Sequence, residues 1–231
     1  MEDIRIEYDL KFEGGRKWSY VVALDPKNLS LVAEENSKKL PEWTKLEVEQ
    51  CEGCPLSVNE NPYCPIAVEL SALVEKFKDE ISYTQVAVKV KTPERDYFKQ
   101  VSVQEALLSI FGLIMATSGC PVMNYLKPMA RFHLPFASME ESIIRSVSMH
   151  LLRQYFQKLK GKEADFELKK LDKKYEQIQK VNMGLSRRIR QVLKAGDANQ
   201  NTVTTFHCIS KMLSMSINRN LRNYEYLFQD D

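Results

Sequence analysis

An α+β fold is predicted for this chain of 231 residues, with a β-rich part over 1–102 and a helical part over 103–231. Three observations predict it. Apolar and charged residues alternate over 4–12, a second alternating run follows over 18–24, and after Ser102 the apolar residues recur at helical spacing.

The first run places Ile4, Ile6, Tyr8, Leu10 and Phe12 on one side and Arg5, Glu7, Asp9 and Lys11 on the other, the pattern of a strand with one wet face. Trp18, Tyr20, Val22 and Leu24 repeat it after Glu13-Gly14-Gly15-Arg16, so an antiparallel hairpin is expected to close over the glycine pair. Residues 25 to 42, with Asp25-Pro26, Asn36-Ser37 and Pro41, read as a loop. Leu46 and Val48 suggest a brief strand entering the first cysteine, and Ile66 to Phe77 is an amphipathic helical stretch. Residues 83–91 and 97–101 flank Thr92-Pro93-Glu94-Arg95-Asp96 as a second hairpin with proline confined to the turn, which brings the expectation to about five strands.

Ser102 with Glu105, and Ser138 with Glu141, have the spacing of reciprocal capping boxes and so predict two helix starts. The second helix carries Ile143, Ile144, Val147, Leu151, Leu152, Tyr155 and Leu159 on a face that must be covered, and it is expected to stop near Gly161. A third long helix is expected over 165–195, with Gly196 as its stop, packed on the preceding helix or on a second copy of the chain. A last helix over 201–217 leads to an apolar tail containing Leu221, Tyr224, Tyr226, Leu227 and Phe228. No linker separates the two parts, so a shared core is as compatible with the sequence as two domains.

Composition is that of a globular protein, at 44% hydrophobic and 28% charged residues. The charged, alternating start lacks the pattern of an export signal, and the most apolar stretch, 106–116, is about half of the roughly 20 residues that cross a bilayer. A soluble, cytoplasmic protein without a membrane association is therefore expected. Residues 1–138 hold 16 Lys and Arg against 20 Asp and Glu, and residues 139–231 hold 17 against 11. That asymmetry is too mild for a dedicated nucleic-acid binder.

Five cysteines occur, at 51, 54, 64, 120 and 208. Cys51-Glu52-Gly53-Cys54 has the spacing at which one tight turn aims two sulfurs at a single metal ion, Cys64 is near in sequence, and Cys120 is the expected fourth ligand, with His133 as a substitute. Proline follows Cys54, Cys64 and Cys120, and proline favours the first position of a helix. A cysteine before it would sit at the N-cap, where amides and the helix dipole favour thiolate, the form that binds metal. A structural zinc would tie the strands to the helices. An iron-sulfur cluster uses the same four thiolates but its common spacings are not reproduced, and buried or redox-active thiols without metal are the third reading. Disulfides do not suit a chain without an export signal.

His133 lies in Pro128-Met129-Ala130-Arg131-Phe132-His133-Leu134-Pro135-Phe136, where a core role competes with a role in a pocket. His150 and His207 fall in helical patterns. Cys208 beside His207 does not make a nucleophile and base, because neighbours on a helix point about 100 degrees apart. Arg187, Arg188, Arg190 and Lys194 form a candidate anion-binding set near a helix end, where cations also suit the dipole. The following Gly196-Asp197-Ala198-Asn199-Gln200-Asn201 reads as a turn rich in capping groups, whose carboxamides could equally face a ligand. No phosphate-binding glycine loop, dinucleotide fingerprint, nucleophile elbow or zinc-protease helix is present.

At Cys51-Glu-Gly-Cys54-Pro-Leu, Pro62-Tyr-Cys64-Pro-Ile-Ala67, Ser118-Gly-Cys120-Pro and Arg131-Phe-His-Leu-Pro-Phe136 the chain resembles a bacterial family of about this length that has no assigned function. The resemblance implies a bacterial, cytoplasmic setting and supplies neither an activity nor a set of functional residues. The sequence thus points away from an enzyme and toward a regulatory or assembly protein with a structural metal, acting on a protein partner or on a second copy of itself. An iron-sulfur or thiol redox protein or sensor is the alternative. RNA or anionic-partner binding by the C-terminal helices is the weaker alternative.

Overall fold

The computed structural model describes residues 2–32, 39–193, 195–219 and 221–229. β1 (Ile4–Phe12) and β2 (Lys17–Leu24) pair antiparallel, with Leu10 opposite Trp18 and Ile6 opposite Val22. Gly14 and Gly15 turn between them at φ +83° and +85°, a region that an L side chain disfavours. β3 (Gln85–Lys91) and β4 (Asp96–Ser102) form the second hairpin, and β3 joins β1, giving the order β2-β1-β3-β4. The alternation does what it predicts: Ile6, Tyr8, Leu10, Phe12, Val86, Val88 and Val90 all face the core.

The sheet has four strands among the described residues, not five. Leu46 sits in a turn, and the segment around it only meets the segment around Tyr63 through a short bridge at Lys45. The loop expectation over 25–42 holds where the residues are described, with Asp25 Oδ1 accepting the amides of Lys27 and Asn28, while Asn36-Ser37 lies outside the described residues.

α1 (Pro65–Lys76) begins with proline after Cys64 at the N-cap. α2 (Val103–Thr117) and α4 (Met139–Leu159) both open on the predicted capping boxes at Ser102 and Ser138. A short α3 (Lys127–Arg131) lies between them. α5 (Lys169–Arg190) starts later than expected, because Asp165 spends its carboxylate accepting the amides of Lys169 and Lys170. α6 (Ala198–Asn218) follows.

The long-helix pairing differs from the expectation. α5 packs along α6, the helix that follows it, and α6 packs in turn on α2. A spacing near three and a half reports an apolar stripe and not the helix that covers it. Gly196 also has a different role from a helix stop: a Cβ there would fall 2.4 Å from the carbonyl oxygen of Glu80, so glycine allows the two backbones to touch. The sheet and helices contribute to one contiguous core, with Tyr8 and Leu10 in the same cluster as Leu107, Ile110 and Leu213.

α4 is covered only in part. Ile143 and Val147 are buried, but Leu152, Tyr155, Phe156 and Leu159 are half or more exposed. In the tail, Leu221 and Tyr224 pack on the core, whereas Tyr226, Leu227 and Phe228 stay exposed. No described helix is long and apolar enough to cross a membrane.

Candidate metal centre

Cys51, Cys54, Cys64 and Cys120 line one cavity of about 120 Å³. They reach it from three local structures. Cys51 and Cys54 span a tight turn, in which the Cys54 amide donates to the Cys51 carbonyl at 3.0 Å and Gly53 takes φ +71°. Cys64 caps α1 and is pinned from behind, its amide donating to the Thr44 carbonyl at 2.8 Å. Cys120 follows the end of α2, where Gly119 at φ +88° turns the chain, and the amides of Val122 and Met123 favour its thiolate.

Cys64 takes the N-cap of α1 as expected, although its side chain accepts no cap hydrogen bond, whereas Pro121 after Cys120 opens a turn and not a helix. The expectation fails for Cys54, because no helix follows Pro55. The residues after it instead form a loop closed by Gln50, whose Nε2 donates to the Leu56 carbonyl at 3.0 Å.

α5 forms the opposite wall and holds the cysteine loop at several points. Lys180 pairs with Glu52 at 2.6 Å and Arg187 with Glu49 at 2.7 Å, both at the surface, where such pairs position more than they stabilise. Between them the backbone of α5 comes close. Cys51 Sγ lies 3.9 Å from the Val181 carbonyl oxygen, and a Cβ on Gly184 would fall 2.6 Å from that sulfur.

Arg188 is the feature that sequence reasoning misplaced. It is 1% exposed, lines the cysteine cavity, and donates to the carbonyls of Trp43 at 2.9 Å, Lys45 at 2.5 Å and Leu46 at 2.8 Å. Its Nε is buried without a hydrogen-bond partner, and no carboxylate among the described residues lies within ion-pair distance of the guanidinium. A buried cation without a counter-charge is unfavourable. Cys51 is close enough for Arg188 to act on its thiol.

The candidate anion-binding set therefore does not gather on one surface. Arg187 is tied to Glu49, Arg188 points into the core, Arg190 is exposed, and Lys194 lies outside the described residues. Side chains three apart on a helix are neighbours, so Arg187 and Arg190 share a face, and it is Arg188, about 100 degrees round from Arg187, that leaves the set.

Burial and the neighbouring thiols push the Cys51 thiol up to about 12 against the opposing pull of Arg188. Burial also raises Cys120, although the two amides oppose it. Protonated thiols at these positions are poor nucleophiles. A bound cation reverses that preference, since a coordinating thiol loses its proton outright. Among the described residues, no three His, Cys, Asp or Glu side chains stand close enough together to hold a metal ion.

His133 does not join the cysteines. Its Nε2 is enclosed by Tyr8 Oη at 2.5 Å and Ser109 Oγ at 3.2 Å, while the residue as a whole is half-buried. Burial and the nearby Arg145 lower its pKa to about 3, so the ring is neutral. His150 is structural as expected, held by Tyr125 at 2.7 Å and by the Asp165 carbonyl at 3.0 Å. Cys208 is exposed on α6, apart from the cavity, and Asn199 and Gln200 bond to Val74 and Ser186 within the protein.

The chain belongs to the family described as a domain of unknown function, DUF6901, whose pattern matches residues 6–229. Comparison with curated proteins and with solved structures finds no match in either.

Proposed function

We propose that this member of the family is a non-enzymatic regulatory or assembly protein in which Cys51, Cys54, Cys64 and Cys120 hold one structural zinc ion. The observation that carries the reading is a single one: four cysteines from three separate segments share one cavity wall with a buried, uncompensated guanidinium. Zinc bound by four thiolates is a net anion, and it would supply the counter-charge that Arg188 lacks. Four protein ligands also leave no open position for substrate, which makes the metal structural. Its role would be to fasten the 43–64 segment, α1, the end of α2 and α5 to one another.

The exposed stretch of α4, with Tyr155, Phe156 and Leu159, supplies a surface for a partner protein or a second copy. A thiol redox role is less well supported, because the raised pKa of Cys51 keeps the reactive form scarce. Binding of RNA through the C-terminal arginines is likewise less well supported, since Arg187 and Arg188 are already engaged.

Thermal unfolding with and without a zinc chelator tests the reading. The expected result is a cooperative transition that shifts down by ten degrees or so on chelation and returns with added zinc, in line with the coupling of metal binding to folding. Unchanged stability in metal-free protein would contradict it. Brown colour in anaerobically purified protein would transfer the site to an iron-sulfur cluster.

A further inference from the structure

A second cavity, of about 210 Å³, lies where α2, α4, α5 and α6 meet, on the other side of α5 from the cysteine loop. It is larger than the roughly 150 Å³ apolar cavity that suffices for benzene. Most of its wall is apolar, from residues such as Leu108, Met129 and Phe206. The polar wall groups are mostly engaged with one another. Ser146 bonds Tyr175 at 2.7 Å, Ser109 bonds His133 at 3.2 Å, and Glu105 is committed to the capping box with Ser102.

Two wall groups are exceptions: Asn182, whose Nδ2 donates to Ser210 at 3.2 Å but whose Oδ1 is buried without a partner, and Arg145, the one that carries charge. Arg145 lines the cavity, donates only to the carbonyls of Met129 at 3.2 Å and Phe132 at 2.7 Å, and has no carboxylate within ion-pair distance among the described residues. His133, the nearest other base in the wall, is neutral and adds no positive charge. An apolar chamber with one partly buried guanidinium, on which the Glu141 carboxylate acts only from beyond ion-pair distance, is complementary to a ligand with an apolar body and a single negative head.

We propose that this cavity binds a small apolar monocarboxylic acid, with its carboxylate on Arg145 and its hydrocarbon between α2 and α6. The site is independent of the cysteine cavity. It shares no wall residue with it except through the body of α5, so zinc content and acid binding are separable.

Isothermal titration of the full chain with octanoate, and with 1-octanol as the uncharged molecule of equal chain length, tests the proposal. Octanoate is expected to bind at least about tenfold more tightly, the effect of one charge-assisted hydrogen bond in a partly buried site. Arg145→Gln should bring octanoate down to the level of octanol while leaving octanol unchanged, and Arg145→Lys should keep a preference for the acid. Equal affinity for acid and alcohol in the unaltered protein overturns the proposal without any variant, as does the absence of binding by either. Because the exposed face of α4 is also apolar, Leu159→Ser serves as a control: octanoate binding that is lost in it and kept in Arg145→Gln places the ligand elsewhere and overturns the assignment.

Discussion

Gly184 of α5 lies directly against Cys51, so closely that a Cβ on the glycine would stand 2.6 Å from the sulfur and 3.3 Å from the Cys51 Cα. A helix interior disfavours glycine relative to alanine by about 1 kcal/mol. The chain keeps it there because the cysteine loop occupies the space a methyl group would take. Gly184→Ala is therefore expected to destabilise the protein by about 1 to 3 kcal/mol despite its better helix propensity, through overpacking. Chemical denaturation measures it. A gain of stability equal to the propensity term would show that the loop does not approach α5.

Arg188 donates to three carbonyls of the 43–46 segment, and removing it leaves those acceptors buried and unpaired. Arg188→Met is expected to lose roughly 3 kcal/mol of stability. Arg188→Lys should recover only part, since one ammonium nitrogen cannot span the three acceptors as a planar fork does. Equal stability of all three proteins in urea titration would remove Arg188 as the clamp on the cysteine loop.

The raised pKa of Cys51 has a consequence for metal-free protein at high pH. The unfolded thiol ionises near 9.0 and the folded one only near 12, so above 9 the folded state holds a proton that the unfolded state has released. Stability contributed by the neutral thiol is present below pH 9 and falls as pH rises through 9 toward 12. Denaturation of chelated protein at pH 8 and pH 10 should show a drop that is smaller in Cys51→Ser.

His133 acts in the opposite direction. Its pKa falls from 6.5 to about 3 on folding, so below 6.5 the unfolded chain binds a proton that the folded chain refuses. Stability is full above pH 6.5 and is lost as pH falls toward 3. His133→Asn should flatten the stability profile between pH 6 and 4, whatever its effect at neutral pH. An unchanged slope would mean that the ring is not held neutral.

The hairpins and capped helices were legible in the sequence because each is written by local rules: alternation in β1 and β3, glycines at positive φ between β1 and β2, and a serine three residues ahead of a glutamate at Ser102 and Ser138. That Cys120 lines one cavity with three distant cysteines agrees with its selection from the proline that follows it, although that proline opens a turn and not the helix expected. What α5 packs against was not, because an apolar stripe is silent about its cover. Arg188 looked like part of a basic cluster, since nothing local to Arg187-Arg188 tells which of two adjacent arginines turns inward. Gly184 was the missed signal: an isolated glycine within a long helical pattern marks a close approach, and here it pointed to the cysteine loop.

Elemental analysis of anaerobically purified protein, beside Cys120→Ser and Cys208→Ser, bears most directly on the four-sulfur site. One zinc per chain is expected in the unaltered protein and in Cys208→Ser, with zinc lost or substoichiometric in Cys120→Ser. Folded protein free of metal, or zinc content indifferent to Cys120→Ser, would contradict the account.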